Sequence, residues 1–197
     1  MPGRSARKQD IILAGVGGQG ILSIATVIDK AAVEEGLSLK QAEVHGMAQR
    51  GGAVQSHLRL ASQMIFSDLI PRGGADMILS VEPLEAARYL DILSPSGVVV
   101  SSSTPFRNIP DYPDLEELLK KVRSAPRAVV VDSEKLAKEA GSSRAQNMVM
   151  LGAAAPFLIL KEESLRRSIE ALFKPRGEAL AAINLRAFDL GRRAASG

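Results

Sequence analysis

With 197 residues, 46% of them hydrophobic and 24% charged, the chain has the make-up of one globular unit, and disorder over most of its length is excluded. The formal charge of +3 is small and the basic residues gather at the two ends, so the basic stripe or face that nucleic acid requires is missing. There is no Cys, which excludes disulfides, thiolate zinc sites, a Cys nucleophile and Cys-ligated iron–sulfur clusters together.

The opening MPGRSARKQD is basic but lacks the apolar stretch of a secretory leader, and residues 1–8 are expected to form a flexible tail before a single domain over 9–192. Residues 10–14 (DIILA) are a short apolar run ending in glycine, which predicts a buried strand. The loop GVGGQG follows, then a helix over 21–35 whose Ile21, Ile24, Ala25, Ile28, Ala31 and Ala32 recur at helical spacing, closed by Gly36. A second strand is expected over 37–44, and HGMAQRGG (45–52) is glycine-rich and polar, hence a loop. Residues 53–60 alternate. Val54, Ser56, Leu58 and Leu60 share one face, while Gln55, His57 and Arg59 share the other, which predicts a strand covered on one side and polar on its second.

Residues 77–81, 98–101 and 128–131 are continuous apolar runs, expected as strands buried on both faces, with helices over 83–93 and 114–124 between them. After Ser133 the strand signals stop, and helices are expected over 133–140, 147–160, 162–173 and 176–192. The longest apolar segment, 148–160, is interrupted by Gly152 and Pro156 and falls short of the ~20 residues that cross a membrane. A protein of the cytoplasm is expected. The alternation implies an α/β fold, a three-layer α/β/α arrangement with a Rossmann-like, mainly parallel but mixed sheet and extra C-terminal helices.

Two segments carry candidate chemistry. Gly15, Gly17 and Gly20 satisfy G-x-G-x-x-G between a strand and a helix, where glycines admit a phosphate and the helix N-terminus favours its charge. Glu43, near the end of the second strand, stands roughly where a dinucleotide site has its ribose-binding acid. Gly18 and the polar Gln19 are not part of that fingerprint, and a tight turn with no ligand satisfies the same spacing. In EVHGMAQRGG, Glu43, His45, Gln49 and Arg50 bring a carboxylate, an imidazole, an amide and a guanidinium within eight residues, with Gly51 and Gly52 beside the arginine. Acid–base work or bidentate capture of an anion is within reach of such a set, and so is an ordinary turn with a surface ion pair. His45 and His57, the two histidines, lack the spacing of a zinc pair, and no metal site is expected. Glu82-Pro83 ends a strand and opens a helix, a place for a ligand or for dipole compensation, and Asn147 reads as the N-cap of the apolar helix.

Taken together, GVGGQGIL, AEVHGMAQRGGAVQSHLRL, SDLIPRGGADMILSVEPLEAAR, NMVMLGA and INLRAFDLG, in this order, resemble the gamma-type domain of 2-oxoacid:ferredoxin oxidoreductases over residues 9–191. The version with His45 and Gln49 before RGG is similar to the indolepyruvate branch of that family. The resemblance implies a small subunit of an enzyme that converts an aryl pyruvate, coenzyme A and oxidised ferredoxin into an acyl-CoA, carbon dioxide and reduced ferredoxin. It implies thiamine diphosphate with magnesium and [4Fe–4S] clusters on a large alpha subunit, no cofactor on this chain, and an alpha2beta2 assembly. Under it, Gly15, Gly17, Gly18, Gln19, Gly20, Gly51 and Gly52 are expected at an anion or partner contact. His45, Gln49 and Arg50 are expected to support or position the reaction. A stand-alone NAD(P)-binding oxidoreductase and a subunit acting on another 2-oxoacid are the alternatives.

Overall fold

In the computed structural model, which describes residues 7–45, 51–107 and 109–196, six strands form one sheet in the order β2-β3-β1-β4-β5-β6. They are β1 (Lys8–Val16), β2 (Ser38–His45), β3 (Ala53–Ala61), β4 (Ala75–Ser80), β5 (Leu93–Ser102) and β6 (Ala128–Val131). The pairs β1–β4, β4–β5 and β5–β6 are parallel, while β3 runs antiparallel between β1 and β2. The mainly parallel, mixed sheet inferred from the alternation over 53–60 is therefore present. β1 begins at Lys8, inside the expected tail, and residues 1–6 lie outside the described residues.

The helices are α1 (Ile21–Glu34), α2 (Pro83–Arg88), α3 (Leu115–Arg123), α4 (Ser133–Ala140), α5 (Gln146–Ala154), α6 (Glu162–Phe173) and α7 (Glu178–Ala195). Successive residues of β1 feed opposite faces, as strand geometry requires. Ile11 and Leu13 join the larger core under α1, α5, α6 and α7, and Ile12 and Ala14 join the smaller core under α2 and α3. The chain thus leaves β1 through α1 on one face and passes from β4 to β6 through α2 and α3 on the other. The winding reverses between β1 and β4, the place where open α/β sheets form a crevice at the strand C-termini.

Most element ends have a local cause. α1 closes where Gly36, at φ 72°, turns the chain so that Leu37 N–H donates to Ala32 O. α5 stops at Ala154 and continues as a 3-10 turn over Ala155–Phe157, because Pro156 has no N–H to extend the helix. α2 is shorter than expected. Ile92 and Leu93 N–H donate to the carbonyls of Tyr89 and Leu90, and β5 starts at Leu93, ahead of the strand expected over 98–101. The C-terminal helices pack on the sheet. α5 and α7 cross with backbones in contact, since a Cβ on Gly152 would overlap the carbonyl of Phe188 and one on Gly191 that of Val149. NMVMLGA and INLRAFDLG meet at this crossing.

The second face of β3 is polar, as expected, but not open to water. His57 is buried, and the Arg59 side chain is 14% exposed. Residues 62–74 cover them: Ile70 N–H donates to His57 Nδ1 at 3.0 Å, and Arg59 donates to the carbonyls of Ser67 and Leu69. Burial holds the His57 imidazole below its ordinary pKa, the Arg59 charge adds to this, and Asp68 opposes it.

Candidate functional site

The glycine loop leaves β1 at the C-terminal edge of the sheet, beside the crevice. Gly15 is required by space: a Cβ there would stand 2.5 Å from Val81 Cγ2 and 2.7 Å from Ile21 Cδ1. Gly20 is required by conformation as well, with φ at 80° and a would-be Cβ 2.6 Å from Asn147 Nδ2. Gln19, the residue foreign to a dinucleotide fingerprint, closes the loop on itself. Its N–H donates to Val16 O at 3.0 Å, and its Oε1 accepts from Val16 N–H at 2.8 Å. A polar side chain at this position therefore braces the turn.

The two candidate segments come together. Gly17 N–H donates to Gly52 O at 2.8 Å, and Gly51 N–H donates to Gly17 O at 3.2 Å, so two backbone hydrogen bonds stitch the second glycine pair to the first loop. His45 ends β2 with its backbone opposite Val54. Gln49 and Arg50 lie outside the described residues. His57 stands elsewhere, opposite Ala42, with Nδ1 engaged by Ile70, and is not part of this site.

Two clefts flank the glycine loop, and Gly18 lines both. One, about 390 Å³, runs between the start of α1 and strands β2 and β3, with Gly17, Gly20, Leu22, Glu43 and Val54 on its walls. The other, about 500 Å³, is the crevice at the winding reversal, lined by Gln19, Val81, Phe106, Arg144 and Gln146 among others. α1 opens at Gly20 with no side-chain cap and no acid in its first turn, so its N-terminal field is not neutralised by its own residues. Glycine walls and a bare helix N-terminus suit an anion, while the neighbouring cleft carries Arg144 and Glu134 together. Glu43 lines the first cleft, but its strand is separated from β1 by the interposed β3, unlike a dinucleotide βαβ unit in which the second strand adjoins the first.

The far wall of the crevice is tied down by Glu82. As the N-cap of α2, its Oε2 accepts from Glu85 N–H at 2.9 Å, and its Oε1 accepts from Phe106 N–H at 3.2 Å and from the Tyr112 hydroxyl. Burial and this bond raise the Tyr112 hydroxyl well above its usual pKa, and burial, with Glu82 adding to it, raises the Glu85 carboxyl. Of the two readings of Glu82, capping and loop anchoring describe its contacts. Asn147 is not the N-cap of α5; it lies in the first turn, buried, and its Nδ2 donates to Gly20 O at 3.3 Å. It locks α5 to the glycine loop. Arg144 was missed by sequence reading, because only the fold brings residues 143–146 to a loop more than a hundred positions earlier.

Residues 10–194 match the family described as pyruvate ferredoxin/flavodoxin oxidoreductase. The chain is 36% identical to the indolepyruvate oxidoreductase subunit IorB of Thermococcus kodakarensis, with 96% of each chain covered. It is 38% identical to the subunit of the same name from Methanothermobacter thermautotrophicus, covering 95% of this chain and 97% of that one. Among solved structures it is similar to the 2-oxoglutarate:ferredoxin oxidoreductase from Magnetococcus marinus with 2-oxoglutarate, coenzyme A and succinyl-CoA bound, at TM-score 0.78 and 25% identity. That match takes in 96% of this chain, which spans 31% of the longer one. The gamma subunit of a keto/oxoacid ferredoxin oxidoreductase from Geobacter sulfurreducens has the same fold, at TM-score 0.70 and 24% identity, covering 95% of this chain and 98% of that one.

Proposed function

Because this chain belongs to the pyruvate ferredoxin/flavodoxin oxidoreductase family, we propose that it is the small, cofactor-free subunit of a thiamine diphosphate-dependent enzyme that oxidatively decarboxylates an aryl pyruvate, with indolepyruvate as the substrate. The observation that carries this reading is likeness to IorB subunits along nearly the whole length of both chains. The division of labour follows from chemistry: a chain without Cys has no thiolate for an iron–sulfur cluster, so the electron path lies on a partner. On that partner, thiamine diphosphate with magnesium would supply the decarboxylation chemistry, and [4Fe–4S] clusters would supply the electron route to ferredoxin. The partner is a large alpha subunit, the assembly alpha2beta2, and the compartment the cytoplasm.

This chain's share is to bind and position. The groove beside Gly17, Gly18 and Gly20 suits the phosphates of coenzyme A in backbone access and in the field of the α1 N-terminus, with the Glu43 carboxylate on the opposite wall. Arg50, covalently joined to Gly51, is assigned to the same anion or to a partner carboxylate, and Arg144 adds a cation across the adjacent crevice. His45 and Gln49 are assigned as polar positioning groups at the substrate channel.

Arg50→Ala in the assembled enzyme is expected to lower kcat/KM for coenzyme A at least about tenfold, the scale of one lost charge-assisted contact, without changing the melting of the isolated chain. Full activity with normal assembly contradicts the assignment. A panel of indolepyruvate, phenylpyruvate, pyruvate and 2-oxoglutarate tests the substrate, with the aryl acids expected to rank first. A ranking led by pyruvate or 2-oxoglutarate replaces the indolepyruvate reading.

A further inference from the structure

The crevice at the winding reversal holds more hydrogen-bond donors than the fold itself uses. Gln19 lines it, and its carboxamide has one orientation open to it. Val16 N–H can only donate, so the atom that meets it at 2.8 Å is the Gln19 Oε1. The Gln19 Nε2 is left without a partner among the described residues.

Gln146, which also lines the crevice, is oriented by a buried relay. Thr104 N–H donates to Ser102 Oγ at 2.9 Å, and the Ser102 and Ser133 hydroxyls lie 2.7 Å apart. Ser133 Oγ stands 3.3 Å from the Gln146 carboxamide. Both serines are fully buried, so each hydroxyl proton must find its acceptor inside the protein. One direction satisfies both: Ser102 donates to Ser133, and Ser133 donates to Gln146 Oε1. The reverse order leaves the Ser102 proton with no acceptor among the described residues. Gln146 therefore keeps its Nε2 unspent, as Gln19 does.

Arg144 brings the charge. It is exposed, and its guanidinium has neither a hydrogen bond nor an ion pair among the described residues. The nearby carboxylates are already engaged. Glu134, on the crevice wall, accepts from Lys138 Nζ at 2.6 Å, so that pair adds no net charge. Glu82 accepts from Glu85 N–H, Phe106 N–H and the Tyr112 hydroxyl. Two carboxamides whose oxygens are spent on the protein, beside an unpaired guanidinium, suit a ligand group that only accepts.

We propose that this crevice is an oxyanion site separate from the glycine groove, in which Gln19 Nε2, Gln146 Nε2 and the Arg144 guanidinium hold a carboxylate or phosphate group. The inference rests on the reading above only in taking this edge of the sheet as the binding edge.

The test follows the side-chain amide resonances of Gln19 and Gln146 by NMR in the isotope-labelled full-length chain. Inorganic phosphate and, separately, acetate are added at constant ionic strength. Both carboxamides are expected to shift along one saturable curve, and the probe that binds more tightly names the source, a phosphate ester or a carboxylate. Arg144→Gln is expected to weaken binding at least about tenfold, the scale of a lost charge-assisted contact. Its exposure means that melting should not change. Gln146→Glu keeps an acceptor for Ser133 but replaces the donor with a negative charge, and is expected to abolish binding. Shifts confined to the backbone amides of Gly17 and Gly20 place the anion in the groove alone and overturn the proposal. Binding that both variants leave unchanged, or no saturable shift with either probe, overturns it too. The subunit reading is untouched by these outcomes, since it stands or falls on the activity of the assembled enzyme.

Discussion

Asp29 lies on α1 with Oδ1 buried and without a hydrogen-bond partner among the described residues, and burial pushes its carboxyl up to about 6. A carboxyl raised in the folded state contributes stability that is complete below its unfolded value and is lost as pH rises through the folded one. The wild-type chain therefore carries an uncompensated charge above pH 6. Asp29→Asn is expected to gain about 1 kcal/mol at pH 8, after discounting the shift for partial exposure, and almost nothing at about pH 3, below the unfolded value. Paired thermal melts check this, with a gain of equal size at both pH values contradicting it. Other residues show what sequence reading reaches at this scale. The alternation over 53–60 correctly placed His57 and Arg59 on one face, but what covers that face is the backbone of residues 62–74, and carbonyls and amides leave no mark in a sequence. Gln19 was legible as an oddity of the glycine loop; that it braces the turn needed the bond to Val16.

At the scale of elements, the strands and helices followed from periodicity because each buries a continuous face, and the departures fall where local geometry prevails over pattern, at Pro156 and at the exit of α2. Glu82 shows the same limit, since its link to Phe106 and Tyr112 joins two connections that are distant in the chain. The α5–α7 crossing gives the sharpest forecast. Gly152 and Gly191 sit where each helix meets the other's backbone, and no rotamer relieves a Cβ against a carbonyl. Gly152→Ala or Gly191→Ala is expected to destabilise by about 3 kcal/mol or more, read from urea unfolding of the isolated chain. A change below about 1 kcal/mol would mean that the helices separate easily. Two of the motifs that mark the family are thus explained by packing rather than chemistry.

For the whole molecule, the doubly wound sheet gathers the glycine loop, Gly51–Gly52 and residues 143–146 at one edge. The first two segments were recognisable as a candidate site; their backbone pairing was not, because it depends on β3 turning back beside β1. A member of this family whose full-length relatives are named as subunits works as part of a larger enzyme. The most direct test is an anaerobic assay of indolepyruvate oxidation with coenzyme A and a ferredoxin-like dye, run on this chain, on the large subunit and on their mixture. The account predicts acyl-CoA formation and dye reduction only in the mixture. Oxidation by this chain alone with a nicotinamide acceptor would contradict it.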